Sequence, residues 1–208
     1  MKSVRMTFPA RGVTRILAAL AMLLLGAATI SGCMHGTSPA TGTQIAPGLT
    51  FAVPPPAGLG RDVEAVQQVV ARYRDQTYVF QAHISVSREA IRFVALDSFG
   101  RRAMSIAAGE YGISADEAQD VPRALDPRNI LADIAMIYWP AGAVRRGLDG
   151  TRAVLQDAPL LRTISRDNEE IVRIAYEASR EDAWNTRVSY RNMALGYELD
   201  IASRATTP

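Results

Sequence analysis

Between residues 77 and 87, apolar side chains fall on every second position, and no other feature constrains the fold of this chain so tightly. Tyr78, Phe80, Ala82, Ile84 and Val86 share one face, while Val79, Gln81, His83 and Ser85 share the other. An extended strand turns successive side chains to opposite sides, so the pattern describes a strand with one buried face. Residues 90–96 read as its neighbour after a turn at Ser87-Arg88-Glu89, and Asp97-Ser98-Phe99-Gly100 is a strong turn sequence. Residues 101–107 and 111–114 continue the meander. Further strands are expected at 153–156, 160–165, 171–178, 185–190 and 195–202.

Helical spacing is read in two regions. Over 62–73, Asp62 can cap a helix in which Val63, Val66, Val69, Val70 and Tyr73 recur at three and four residues. Asp126-Pro127 is a cap followed by proline at the first helical position, and Ile130, Leu131, Ile134, Ile137 and Tyr138 then form an apolar stripe. Pro140 ends that helix and starts a shorter one, closed by Asp149-Gly150. Short antiparallel links dominate, so the natural solution is an α+β fold, one wide sheet with its helices gathered on one face. A sheet of that width twists and curls, which gives it a concave side for the helices to cover.

The start of the chain has a different character. Residues 1–15 carry Lys2, Arg5, Arg11 and Arg15 and no acid, and residues 16–30 form an apolar run of 15. That is the size of an export-signal core and short of the ~20 residues a spanning helix needs. Ile30-Ser31-Gly32-Cys33 follows, and Cys33 is the only cysteine in the chain. The sequence resembles the lipobox of bacterial lipoproteins, which implies cleavage before Cys33 and a lipid on its thiol. Met34 stands where an Asp would mark retention, so the resemblance implies the periplasmic face of the outer membrane of a Gram-negative bacterium. Residues 33–61 are rich in Gly, Thr and Pro with almost no charge, and read as a tether reaching roughly 30 Å. Within it, the apolar piece 49–53 either docks on the domain or forms a brief strand.

Setting aside the four cations of the signal leaves 19 basic against 21 acidic side chains, so the exported part is close to neutral. Its charges are interspersed, and no basic run marks a nucleic-acid partner. One cysteine excludes a disulfide within the chain. His35 and His83 lack metal-ligand spacing, and no phosphate-binding loop, dinucleotide fingerprint or nucleophile elbow occurs. The acid pairs Asp116-Glu117, Glu169-Glu170 and Glu181-Asp182 fall in expected loops and read as solvated charge. Trp139 and Trp184 read as packing residues, with a lid or cavity rim as the alternative for Trp139, which precedes a proline at the helix junction. Neither an enzyme nor a cofactor or metal site is expected.

Three segments carry a family resemblance. Leu96-Asp97-Ser98-Phe99-Gly100 looks like the Asn-Pro-Leu-Gly turn of the outer-membrane lipoprotein receptor LolB. Residues 126–148 look like its central pair of helices, and 190–203 (YRNMALGYELDIAS) like its closing hairpin. The chain resembles LolB-like lipoproteins, most of all a lipoprotein family associated with aryl polyene biosynthesis clusters. The resemblance implies an incomplete antiparallel β-barrel of the LolA/LolB kind, a curved sheet whose helices cover the concave face around an apolar cavity. It places Tyr78, Phe80, Ile84, Phe93, Ile134 and Tyr138 on the cavity wall, and Phe99 on a loop that inserts into membrane or cargo. Phe99 departs from the family's aliphatic residue, and Asp97-Ser98 replace its Asn-Pro; read from the residues alone, a phenylalanine in a turn equally folds back to cap the core.

The expected layout is a signal peptide at 1–32, the lipidated Cys33 and tether at 33–61, a lipid-binding domain at 62–204 and a tail at 205–208. The implied function is to bind acyl chains or another amphiphile and aid its transfer to the outer membrane, with lipoprotein or aryl-polyene lipid as cargo. The implied partners are that lipid or acylated cargo, the outer membrane through the anchor, and a LolA-like periplasmic carrier. The alternative is a structural or interaction lipoprotein with a filled core, serving an envelope assembly.

Overall fold

The computed structural model describes residues 42–117 and 126–206, and the expectations for the export signal, Cys33 and His35 lie outside them. A hairpin comes first, β1 (Gly42–Ala46) and β2 (Leu49–Ala52), then a short 3-10 helix at Pro56–Leu59. Strands β3 (Val63–Tyr73), β4 (Gln76–Val86), β5 (Ala90–Leu96), β6 (Arg102–Gly109) and β7 (Gly112–Glu117) follow. Helices α1 (Pro127–Tyr138) and α2 (Ala141–Gly147) interrupt them. The rest is β8 (Ala153–Asp157), β9 (Leu161–Arg166), β10 (Glu169–Tyr176), a 3-10 helix at Arg180–Asn185, β11 (Arg187–Asn192) and β12 (Tyr197–Ala205).

Strands β3 to β12 make one ten-stranded antiparallel sheet in the order β7-β6-β5-β4-β3-β12-β11-β10-β9-β8. Each half is a meander, and the halves join where β12 pairs with β3 from Tyr197↔Tyr73 to Ala205↔Ala65. The edge strands β7 and β8 do not pair with each other, so the described sheet is not a closed barrel.

The helix expected at 62–73 is instead β3, a central strand paired on both sides. Its inward positions are Val63, Ala65, Gln67, Val69, Ala71 and Tyr73, alternating with more exposed ones. Two alanines and a glutamine on the buried face hide the period of two. Val66 and Val70 on the other face complete a false three-four spacing. The valines themselves favour the strand, because branching at Cβ suits a pleated surface and restricts rotamers in a helix.

Helix α1 shows why this sheet has to curl. Asp126 caps it by accepting the N–H of Arg128 at 2.7 Å, and Trp139, before Pro140, leaves the helix in extended geometry. Residues Leu131 to Tyr138 are all buried. The helix meets β5 where Phe93 and Ile134 line one cavity, and meets β9 where Arg162 donates to the Met136 carbonyl at 2.6 Å. Six strand spacings separate β5 from β9, roughly 29 Å on a flat sheet, whereas a helix is only ~10 Å across. Both contacts are possible because the sheet wraps around the helix. Tyr138 stacks on Trp184 with ring centroids 3.8 Å apart, and Trp139 is fully buried, so both tryptophans are packing residues.

The tether expectation does not hold from Gly42 onward. Ile45, Ala46, Leu49 and Phe51 join the main core, and the Trp139 indole donates to the Pro55 carbonyl at 3.2 Å. The brief strand expected within 49–53 is β2, and it also docks on the domain; what the low-charge, Pro- and Gly-rich composition hid is its partner β1. At the other end, β12 runs through Ala205, one residue into the expected tail. The β11–β12 turn lies two residues later than its expected place, because Asn192 Oδ1 accepts the Leu195 N–H and Gly196 takes φ +70°. The acid pairs expected in loops are partly in strands, Glu169-Glu170 in β10 and Asp116-Glu117 in β7.

Candidate functional site

An apolar cavity lies between α1 and the concave face of the sheet, with a free volume of about 60 Å³. Val69, Ala71 and Tyr73 of β3 face it, with Tyr78 and Phe80 of β4 and Phe93 of β5. Tyr197, Leu199 and Ile201 come from β12, and Ile130, Ile134, Ile137 and Tyr138 from α1. Alternation in the strands and the three-four stripe of the helix therefore aim the same side chains that build the core. Of the residues expected on a cavity wall, Tyr78, Phe80, Phe93, Ile134 and Tyr138 lie on this one, whereas Ile84 is packed in the core away from it.

Burial grades along the cavity. Gln67, Val69, Ile137 and Tyr138 are buried, while Tyr73, Tyr78, Ile130 and Tyr197 are half-buried. The half-buried set stands toward the β3–β4 and β11–β12 turns, so the cavity opens at that end of the sheet. The β5–β6 turn points the same way: Leu96 pairs with Gln81, and β4 runs from there to Gln76 at the tip of the β3–β4 hairpin.

Phe99 sits at that turn, 82% exposed. Asp97 Oδ1 accepts the backbone N–H of both Phe99 and Arg101 at 2.9 Å, and Oδ2 pairs with the Arg101 guanidinium. The Arg101 N–H is the main reason the Asp97 carboxyl is held below its usual range, aided by the guanidinium and the Phe99 N–H. Gly100 takes φ +76° and completes the turn. The Arg101 guanidinium lies 5.3 Å from the Phe99 ring centroid. A tightly held turn thus presents an aromatic ring outward beside a cation.

Besides Arg72 and Asn129, two hydrogen-bonded polar clusters interrupt the apolar lining. At the buried end, Gln67 Nε2 donates to the Tyr138 hydroxyl at 2.7 Å and to Ser203 Oγ at 3.1 Å. Nearer the mouth, the Tyr197 hydroxyl meets both carboxyl oxygens of Asp133 at 2.8 Å, and the Tyr190 hydroxyl lies 3.4 Å from that of Tyr197. Burial raises the Asp133 carboxyl to about 7, against the lowering effect of the Tyr190 and Tyr197 hydrogen bonds. Burial also pushes the Tyr138, Tyr190 and Tyr197 phenols well up, so all three stay protonated near neutrality. Asp133 carried a signal in the sequence that composition alone conceals. It lies three residues after Ile130 and four before Ile137, an acid on the apolar stripe itself.

A family model described as protein of unknown function (DUF3261) matches residues 64–205. The chain belongs to that family. In this DUF3261 chain the match spans β3 through β12, and so takes in the whole sheet, both helices and the cavity, but not the β1–β2 hairpin. Among curated proteins none matches the chain. Among the described residues of this DUF3261 protein, no group of three or more His, Cys, Asp or Glu is placed to hold a metal, and no helix is long and apolar enough to cross a membrane. His83 is exposed on the outer face of β4.

Proposed function

We propose that this protein is a LolB-like, outer-membrane-anchored periplasmic lipoprotein that takes an apolar chain into the cavity and aids its transfer to the membrane. The observation that carries the reading is one of placement: an apolar cavity between α1 and the curved sheet opens at the same end as the exposed Phe99 turn. A chain crossing water gains ~0.8 kcal/mol per CH₂ it buries, so an apolar container is what such cargo needs. The wrapped, unclosed sheet fits an incomplete barrel of the LolA/LolB kind. The apolar run before Cys33 and the small residues beside it support a lipid anchor at that thiol. With the domain held at the membrane, Phe99 partitions into the interface and the mouth faces the bilayer. Cargo is another lipoprotein's acyl chains or an aryl-polyene lipid, delivered by a LolA-like carrier. The domain acts by binding and transfer, without catalysis.

The free volume of about 60 Å³ favours a second reading. Ligand pockets usually run to ~300–1,000 Å³, so loading requires the wall to part. A structural lipoprotein with a filled core needs no such opening. Native mass spectrometry of the mature chain, residues 33–208 carrying Cys33→Ser and recovered without detergent, separates the two. The carrier reading expects co-purifying acyl lipid, or uptake of added fatty-acid probe. A bare protein that takes up no probe leaves the filled-core reading in place.

A further inference from the structure

A carboxyl is an unusual group on the wall of an apolar cavity. Asp133 is only 7% exposed, and both of its oxygens are served by one phenol, that of Tyr197, at 2.8 Å. An ionised carboxylate offers about four acceptor positions, and the Tyr197 and Tyr190 phenols fill two at most, so about half of its capacity is unused. Among the described residues no cation pairs with it. The groups facing it from the sheet are Tyr197 of β12 and Tyr190 of β11. The other titratable or charged side chains on the cavity wall are Arg72 and Tyr73 of β3, Tyr78 of β4 and Tyr138 of α1. Arg72 is already engaged with Asp200, so its charge is balanced outside the cavity. On its own element, Asn129 is held by the hydroxyl of Thr43 from β1, at 2.7 Å.

We propose that Asp133 and Tyr197 form the head-group site of the cavity, taking an uncharged hydrogen-bond donor, an amide N–H or a hydroxyl joined to an acyl or alkyl chain, and turning away a fixed anion. This rests on the reading of the cavity as an amphiphile site. A donor head finds spare acceptor positions on Asp133 while its chain lies along Phe80, Phe93 and Ile134. An anionic head meets the ionised carboxylate in a poorly screened setting, where like charges repel strongly. The discrimination is pH-dependent. Desolvation puts the Asp133 carboxyl near 7, and once neutral it offers an O–H that an anion can accept. The neutral fraction of such a group falls about tenfold between pH 6 and pH 8.

The test is calorimetric titration of the mature chain, residues 33–208 carrying Cys33→Ser, with decan-1-ol, N-decylacetamide and decane-1-sulfonate at both pH values. The sulfonate stays charged throughout, so any pH effect belongs to the protein. The alcohol and the amide are expected to bind at least as tightly at pH 8 as at pH 6, because the ionised carboxylate is the better acceptor, and the sulfonate about tenfold more weakly at pH 8. In Asp133→Asn the sulfonate is expected to bind equally at both. If the wild-type chain binds the sulfonate as well at pH 8 as at pH 6, the head-group assignment is overturned while the amphiphile reading stands. If none of the three binds, both are overturned.

Discussion

Gly147 of α2 lies flat against the ring of Phe51 from β2: a Cβ built on the glycine would stand 2.4 Å from the ring and 2.5 Å from the Ala52 carbonyl oxygen. The backbone oxygen cannot swing aside, and Phe51 is fully buried with little room to turn. Gly147→Ala is therefore expected to destabilise the fold by about 2–3 kcal/mol, the scale of overpacking in a tight core. Phe51→Ala is expected to cost about 3–5 kcal/mol. Urea unfolding measures both. Near-neutral results would return the hairpin to the status of a tether.

A second expectation concerns the far end of α1. Arg162 is completely buried, pairs with Asp157 at 2.7 Å, and donates to the carbonyls of Met136 at 2.6 Å and Trp139 at 3.0 Å. It satisfies carbonyls that the end of the helix leaves without partners. Arg162→Met leaves Asp157 buried with only Arg180, 3.4 Å away, and a loss of roughly 3–5 kcal/mol is expected. Adding Asp157→Leu should recover part of it, because the uncompensated charge goes too. Denaturant midpoints of the single and double variants check the order.

Stability should also report Asp133 directly. Its carboxyl lies near 7 in the folded chain against an ordinary 3.8, so between those values the folded state keeps a proton that the unfolded state has lost. The group's stabilising contribution is complete below about pH 4 and falls as pH rises. Above about 7 it is gone. Asp133→Asn removes this dependence. Relative to wild type, the variant should gain on the order of 4 kcal/mol between pH 4 and pH 8, an upper bound from the shift. Thermal melts at the two pH values measure it, and parallel curves would mean that Asp133 is not desolvated.

How much of this was legible depended on whether one face carried the signal alone. In β4 apolar residues on the inward face alternate with mostly polar ones, β5 follows across the Ser87-Arg88-Glu89 turn, and both expected strands match the observed ones to within a residue. The Asp126-Pro127 cap marked the start of α1 because capping chemistry is local. β3 failed for the opposite reason: small and polar residues on its buried face, and valines on both, leave the period ambiguous until neighbouring strands resolve it. The cavity mouth was half visible. Alternation put Phe80 on the inward face, and only the family resemblance made that face a cavity wall; Tyr197 and Asp133 meet across 64 residues of sequence, and only the curl of the sheet joins them.

The last expectation separates the membrane role from the fold. Phe99 is 82% exposed, on a turn whose hydrogen bonds come from Asp97 and not from the ring. Replacing an exposed side chain away from caps and cores usually changes stability by within about 0.5 kcal/mol. Phe99→Glu should therefore melt like the parent chain and take up the same acyl probe. Delivery of that probe to lipid vesicles should fall at least tenfold, because a carboxylate resists the interface that a phenyl ring enters. Phe99→Leu, which keeps an apolar side chain, should retain delivery. Fluorescence transfer to labelled vesicles reads the rate. Unchanged delivery in the Glu variant would remove Phe99 from the transfer step, and a fall in melting temperature would instead mark the ring as a structural cover for the turn.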